Sequence, residues 1–211
     1  IRPVSEQDDI LIARLIWLTS YAQTVGSRSS TVPGLDEEVS RGLLEGRDLV
    51  RELTGRMGAS GTQTLSARGA QTIILSRGLR FKSAREELRR LVPVMERSGH
   101  PELPLAAERL RKLDALWDLR ATLTEISDET HSSTEDAAER LLDALETLVT
   151  NSTDLHRSYS DDVRRQVLIA KGMSKTSPQS AAKSLRRVCK VMRQPLASIH
   201  RCEVTAAVAA W

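Results

Sequence analysis

The side chains that most often carry out chemistry are few in this sequence of 211 residues, and they lie far apart. A metal site needs several ligands at short, regular spacing, such as paired cysteines or two histidines one helical turn apart. The sequence contains no such pair, and it lacks the glycine-rich and serine motifs of phosphate, dinucleotide and acyl-transfer sites. Its histidines are His100, His131, His156 and His200. We therefore expect no metal, no cofactor and no catalytic residue, and we predict that the protein is not an enzyme.

Adjacent acids and two cysteines are the remaining candidates for chemistry. Glu86–Glu87 and Asp161–Asp162 are neighbours in sequence, and neighbours on a helix point to different sides. We interpret them as charges in the first turn of a helix and not as acid–base pairs. Cys189 stands at a helical core position and is expected to be buried. Cys202 follows thirteen residues later, and it could pair with Cys189 if the last helix folded back.

Charge is the strongest signal in the sequence. There are 31 Lys and Arg against 28 Asp and Glu, and the formal net charge of +3 conceals an uneven distribution. From Val163 to Cys202 there are ten basic residues and no acid, whereas Glu102 to Asp162 holds fifteen acids and six bases. The ten basic residues are Arg164, Arg165, Lys171, Lys175, Lys183, Arg186, Arg187, Lys190, Arg193 and Arg201. Five of them recur at helical spacing and should share one side of a helix. These five are Lys183, Arg186, Arg187, Lys190 and Arg193.

Two interpretations of this basic segment stay open. It could form an electropositive surface for phosphate groups or an acidic partner. Alternatively, the acidic helices that precede it could neutralise it within one bundle. Only Tyr159 and Trp211 flank the segment, so base stacking is not favoured, although binding to a duplex backbone would not need it. Leu185, Val188 and Met192 are more simply core residues than a membrane-inserting face.

Composition and hydrophobic periodicity predict that helices position these charges. Hydrophobic residues make up 40% of the chain and charged residues 28%, as in globular proteins, and only six residues are aromatic. Apolar residues recur every three or four positions, which predicts an all-α multi-helix bundle of about seven to nine amphipathic helices. The predicted helices cover Ser5–Val25, Asp36–Met57, Thr64–Arg80, Ser83–Arg97, Pro104–Ile126, a segment from Ser133 or Thr134 that carries Val149, Ser160–Gly172, Pro178–Pro195 and Leu196–Trp211.

Two features of the N-terminal helices make specific predictions. Ile12, Ile16 and Trp17 widen the apolar stripe of the first helix, so we expect that helix to be heavily buried, with Trp17 as a core anchor. Trp117 is expected to play the same role in the fifth helix. Gly42 and Gly46 lie four residues apart on one side of the second helix. They predict either the close approach of a neighbouring helix or a poorly formed helix.

The best boundary in the sequence lies at residues 99–104. Gly99, Pro101 and Pro104 fall there, and ten of the eleven glycines lie at or before Gly99. We therefore divide the chain into an N-terminal helical part, 1–99, and a C-terminal helical part, 100–211, which carries the basic last helices. The two parts form either one elongated bundle or two helical subdomains.

Abundant amphipathic helix without a catalytic motif predicts a non-enzymatic protein-interaction module, an adaptor or scaffold with a protein partner. The alternative is binding of nucleic acid or anionic lipid through the basic 163–202 segment, with Lys183, Arg186, Arg187, Lys190 and Arg193 as the contact residues. No apolar run is long enough to span a membrane. The acids Glu6, Asp8 and Asp9 do not fit a signal peptide. We therefore expect an intracellular location, cytoplasmic or nuclear.

Overall fold

The computed structural model of the chain describes residues 6–27, 35–77, 80–128, 133–150 and 154–210. These residues form eight helices and no strand, which confirms the predicted all-α bundle of seven to nine helices. The helices are α1 (Glu6–Ser27), α2 (Leu35–Met57), α3 (Thr62–Arg77), α4 (Phe81–Arg97), α5 (Leu103–Ser127), α6 (Thr134–Thr150), α7 (Asp154–Met173) and α8 (Pro178–Val208). None of the described helices combines the length and the apolar character that crossing a bilayer requires.

The helices are arranged in two compact units. Unit 1 consists of Ile1–Arg111 and Arg201–Trp211, and unit 2 consists of Lys112–His200. The changes from one unit to the other therefore fall inside α5 and inside α8. That residues 1–99 and 100–211 are separate subdomains stays a prediction.

Unit 1 is built around α3, which is buried on almost every side. The helices α1, α2 and α4 all pack against it. Small residues such as Ala67 and Ala70 let these neighbours come close, and Ile73 and Ile74 are fully buried among them. The buried hydroxyl of Ser76 donates a hydrogen bond of 2.7 Å to the carbonyl oxygen of Ile73. A polar group in the core thus keeps a partner, as burial requires.

Helix α1 is less buried than its sequence predicts. Its core face is the stripe that contains Leu11, Leu18 and Ala22, all nearly inaccessible to solvent. Ile16 is 60% exposed and Trp17 is 42% exposed, so the prediction that Trp17 is a core anchor is wrong. Both residues lie about 100° or more around the helix from the centre of the stripe. Only the narrow stripe reaches α2 and α3, and Ile12 is exposed for the same reason.

Helix α2 is continuous, and two of its three glycines, Gly42 and Gly46, are buried at helix contacts. A Cβ atom on Gly42 would lie 2.6 Å from Cε1 of Tyr21, and a Cβ atom on Gly46 would lie 3.4 Å from Cδ1 of Leu18. Both contacts are with α1. The structure therefore favours close approach over the alternative of a poorly formed helix.

Unit 2 is a four-helix arrangement of α6, α7 and the adjoining parts of α5 and α8. Its core contains Leu116 and Leu119 of α5 together with Leu141, Val167 and Met192 of the other three helices. Ser133 caps α6, because its Oγ accepts a hydrogen bond of 3.0 Å from the backbone N–H of Asp136.

Trp117 is fully buried in unit 2, as predicted. Its indole N–H donates a hydrogen bond of 2.9 Å to Nε2 of His200, which is also buried. His200 therefore satisfies the one polar atom that burial of the indole would otherwise leave without a partner.

Two predicted helix limits in this region are wrong. Helix α7 begins at Asp154 and not near Ser160, so Asp161 and Asp162 lie more than one turn inside it and are not first-turn charges. Helix α8 continues through Pro195 to Val208. Met192, Leu196 and His200 are buried at intervals of four residues across the proline. We attribute the continuity to this uninterrupted buried stripe, which offsets the one backbone hydrogen bond that Pro195 cannot make.

Candidate anion-binding surface

The five basic residues singled out by their spacing all lie on the solvent side of α8. The buried side of that helix in unit 2 is formed by apolar residues such as Leu185, Val188 and Met192. The opposite side is the basic face, defined by Lys183, Arg186, Arg187, Lys190 and Arg193, and all five residues are exposed. The rise of 1.5 Å per residue makes this face about 15 Å long.

The acidic helix α6 neutralises part of the basic segment, but on α7 and the turn after it. Nζ of Lys171 lies 2.8 Å from Oε1 of Glu139, and Nζ of Lys175 lies 3.5 Å from Oε1 of Glu135. The hydrogen bond that Lys171 donates to Glu139 raises the pKa of Lys171, and the charges of Glu139, Glu135 and Asp143 add to this effect. The intramolecular match considered from the sequence is therefore real for these two lysines.

Four of the five residues of the basic face are not matched in this way. Within the part of the chain that the structure describes, Lys183, Arg187, Lys190 and Arg193 make no ion pair and no side-chain hydrogen bond. Each of them has another basic residue three or four positions away, and like charges at these spacings repel by about 0.2–0.5 kcal/mol per pair. An anion placed along this face would relieve that repulsion.

The chemistry that the basic face offers is electrostatic. Helix α8 contains no Phe, Tyr or Trp, so it has no ring on which a base could stack. Lysine provides a mobile point charge, whereas the planar guanidinium of arginine can hold a carboxylate or phosphate through two parallel hydrogen bonds. Both contacts weaken as the salt concentration rises.

The other candidates from the sequence, the adjacent acids and the histidines, do not form a catalytic or metal site among the described residues. Glu86 and Glu87 lie more than one turn inside α4, whose first turn contains no acid, so the prediction that they are first-turn charges is wrong. Glu87 accepts a hydrogen bond of 3.0 Å from Nε of Arg68, which ties α4 to α3. No group of three or more potential metal ligands exists among the described residues. His131 and the side chain of His156 lie outside them.

The two cysteines are free thiols, so the pairing that the sequence left open does not form. Both lie on the single helix α8, and the helix does not fold back between them. Cys189 is buried, and the loss of solvent around the thiol raises its pKa to about 11. Cys202 is exposed.

Comparison of the chain with protein-family models, with curated proteins and with solved structures finds no match. The candidate surface is therefore described from the residues of this chain alone. The sequence identified all five members of the basic face, but it placed Lys171 and Lys175 in the same class. A sequence signal for their different role exists, because both lie outside the helix that carries the other five.

Proposed function

We propose that the chain is a non-enzymatic helical interaction module that binds an acidic segment of a partner protein through the basic face of α8. One observation carries the proposal: four exposed cations of that face have no partner among the described residues, although α6 supplies acids to Lys171 and Lys175. Unmatched cations that repel one another cost stability, so this arrangement suits a surface that meets an anion in its working state.

The shape of the face supports a protein partner with acids on one helix. The cations form a line about 15 Å long, which equals about three turns of a facing helix. Val191 lies among them on α8 and is 57% exposed. An apolar side chain beside a row of charges suits an amphipathic acidic helix better than a phosphate backbone.

The proposed site of action is the cytoplasm or nucleus, where free thiols such as Cys189 and Cys202 persist.

A charge-reversal experiment tests this proposal. The probe is a designed helical peptide of about 20 residues with Glu at every third or fourth position, and binding is measured by fluorescence anisotropy. Arg187→Glu together with Lys190→Glu should weaken binding by about tenfold or more, and binding to the unchanged chain should fall as salt rises. The matched control is Arg89→Glu with Arg90→Glu, which alters two exposed arginines of α4 by the same net charge. The control should bind like the unchanged chain.

The alternative function is binding of nucleic acid or anionic lipid through residues 163–202. It is favoured by Arg164 and Arg165, which are exposed on α7 and add two cations to those of the basic face. A DNA duplex of about 20 base pairs and vesicles that contain phosphatidylinositol bisphosphate serve as the two further probes. Tighter binding of either one than of the acidic peptide would reject the protein-partner proposal. Equal binding by the charge-reversal variant and the control would reject the basic face for every partner.

A further inference from the structure

Unit 1 contains a groove that the sequence did not reveal. The groove lies between α1 and α2, and its volume is about 430 Å³. The buried residues Leu18 and Leu49 contribute apolar surface to it, and Trp17 and Tyr21 line it together with them. Small-molecule sites occupy about 300–1,000 Å³ and combine apolar and aromatic walls with a few polar groups. The groove has the size and the lining of such a site.

The aromatic wall of the groove is held rigidly. The rings of Trp17 and Tyr21 stack with their centroids 4.8 Å apart and their planes at 21°. The hydroxyl of Tyr21 donates a hydrogen bond of 2.8 Å to the carbonyl oxygen of Glu38. The missing side chain of Gly42 lets the Tyr21 ring lie directly against α2. Because the stack is fixed in advance, a ligand would not have to order it, and less binding free energy would be lost.

The charges around the groove are not equivalent. Nη1 of Arg14 lies 2.7 Å from Oε2 of Glu52, so this arginine is already paired. The guanidinium carbon of Arg41 lies 5.9 Å from the centroid of the Tyr21 ring, which keeps this cation beside the aromatic stack. Arg41 makes no ion pair within the described ranges, and neither does Glu45, one turn further along α2. The contacts therefore place the positive charge of Arg41, and not the negative charge of Glu45, at the aromatic stack.

We propose that this groove binds a small planar aromatic anion. Its ring would lie against the half-exposed indole of Trp17, and its carboxylate or similar group would accept hydrogen bonds from Arg41. An organic cation on the stack would be repelled by Arg41, which lies beside the Tyr21 ring, although Glu45 also lines the groove and carries the opposite charge. The volume suits a small molecule and not a peptide helix, whose diameter with side chains is about 10 Å. The groove lies in unit 1 and shares no residue with the basic face, which lies in unit 2.

Three probes of nearly equal shape test the proposal: 2-naphthoate, 2-naphthamide and 2-naphthylmethylammonium, titrated into the full chain by calorimetry. Naphthoate should bind about tenfold more tightly than the neutral amide, and the ammonium should bind most weakly. Trp17→Ala should weaken all three, and circular dichroism checks that this variant is folded. Arg41→Gln should abolish the preference for naphthoate over the amide, and this exposed substitution leaves the core untouched. Arg47→Gln, an exposed change elsewhere on α2, is the matched control and should bind like the unchanged chain.

Several results would overturn the proposal. They are the absence of naphthoate binding, tightest binding of the ammonium, or an unaltered preference in Arg41→Gln. Binding of an acidic tryptophan-containing peptide without binding of any of the three probes would make the groove a peptide site and would also overturn it. Arg187→Glu with Lys190→Glu should leave naphthoate binding unchanged, so failure here is distinguishable from failure of the proposed function.

Discussion

Cys189 and Cys202 lie on one helix and differ in accessibility and acidity. A thiol reacts as its thiolate, and burial that raises the pKa of Cys189 to about 11 leaves almost none of that form near neutral pH. Cys202 is exposed. We predict that a thiol reagent such as dithionitrobenzoate labels one cysteine rapidly at a pH of about 8 and labels the second only when the chain unfolds.

The variant Cys202→Ser provides the control, because it should remove the rapid phase and leave the slow phase unchanged. Adding urea should accelerate the slow phase as the unfolded population grows. Rapid labelling of Cys202→Ser in the absence of urea would contradict the burial of Cys189.

The raised pKa of Cys189 also makes the free energy of unfolding depend on pH. The unfolded chain tolerates the ionised thiolate better than the folded chain does. The contribution of the neutral thiol to the free energy of unfolding is therefore fully present below about pH 9 and is lost as the pH rises through about 11.

Single residues were predictable where two signals agreed. Trp117 and Cys189 lie on strongly periodic apolar stripes and are buried, as expected. Trp17 is the opposite case, because residue type indicated burial and its angular position on α1 did not. The groove beside Trp17 depends on Tyr21 and Arg41 meeting across two helices, and no sequence spacing within one helix encodes that meeting.

The contact between α1 and α2 depends on a glycine, and it makes a prediction at the scale of the element. Alanine normally stabilises a helix interior by about 1 kcal/mol relative to glycine. At Gly42, however, the added methyl would lie 2.6 Å from the Tyr21 ring, so the ring or the helix must shift. We predict that Gly42→Ala lowers the free energy of unfolding by about 1–3 kcal/mol. Urea denaturation measures the change.

Gly55 supplies the matched control on the same helix. A Cβ atom there would meet nothing within 4 Å, so Gly55→Ala should raise the free energy of unfolding by about 0.5–1 kcal/mol. The two substitutions are chemically identical and should have opposite signs. A stabilising Gly42→Ala would mean that α1 and α2 are further apart than the structure places them.

The sequence predicted which segments are helical better than it predicted the residues at which the helices begin and end. All eight helices lie in segments that the sequence predicted to be helical, although α8 was predicted as two helices. The starts of α6 after Ser133 and of α8 after Ser177 follow from capping and proline rules. The predicted end of α8 was wrong because the proline rule considers only the backbone next to Pro195. Leu196 and His200 continue the buried stripe beyond that residue. The start of α7 was wrong because a serine followed by two acids resembles a cap even when it stands inside a helix.

At the scale of the whole molecule, the sequence identified the members of the basic face but not their surroundings. Helical spacing alone places five cations on one side of α8, and the structure agrees that all five are exposed. Spacing could not decide whether acids from another helix would face them, because that depends on how α6 packs. The packing directs the acids of α6 to Lys171 and Lys175, whereas Lys183, Arg187, Lys190 and Arg193 make no ion pair among the described residues.

This uneven neutralisation predicts an unusual response to charge reversal. Arg187→Glu with Lys190→Glu converts repulsive pairs with Lys183, Arg186 and Arg193 into attractive ones. The free energy of unfolding at low salt should therefore stay equal or rise by about 0.5 kcal/mol. The control Arg89→Glu with Arg90→Glu places new acids beside Glu86 and Glu87 and should lower it by a similar amount. Urea denaturation at about 20 mM and 500 mM salt measures both, and the differences should shrink at high salt.

The sign of the change in the free energy of unfolding for Arg187→Glu with Lys190→Glu decides how the basic face is to be interpreted. If the reversal of Arg187 and Lys190 destabilised the chain by more than about 1 kcal/mol at low salt, these cations would have acidic partners within the molecule, and the candidate surface would be part of the fold. If stability is unchanged or higher, the cations contribute nothing to folding that neutral residues could not provide. Loss of binding in the same folded variant would then be a property of the surface alone, because the protein presents the charge at a small cost to its own stability.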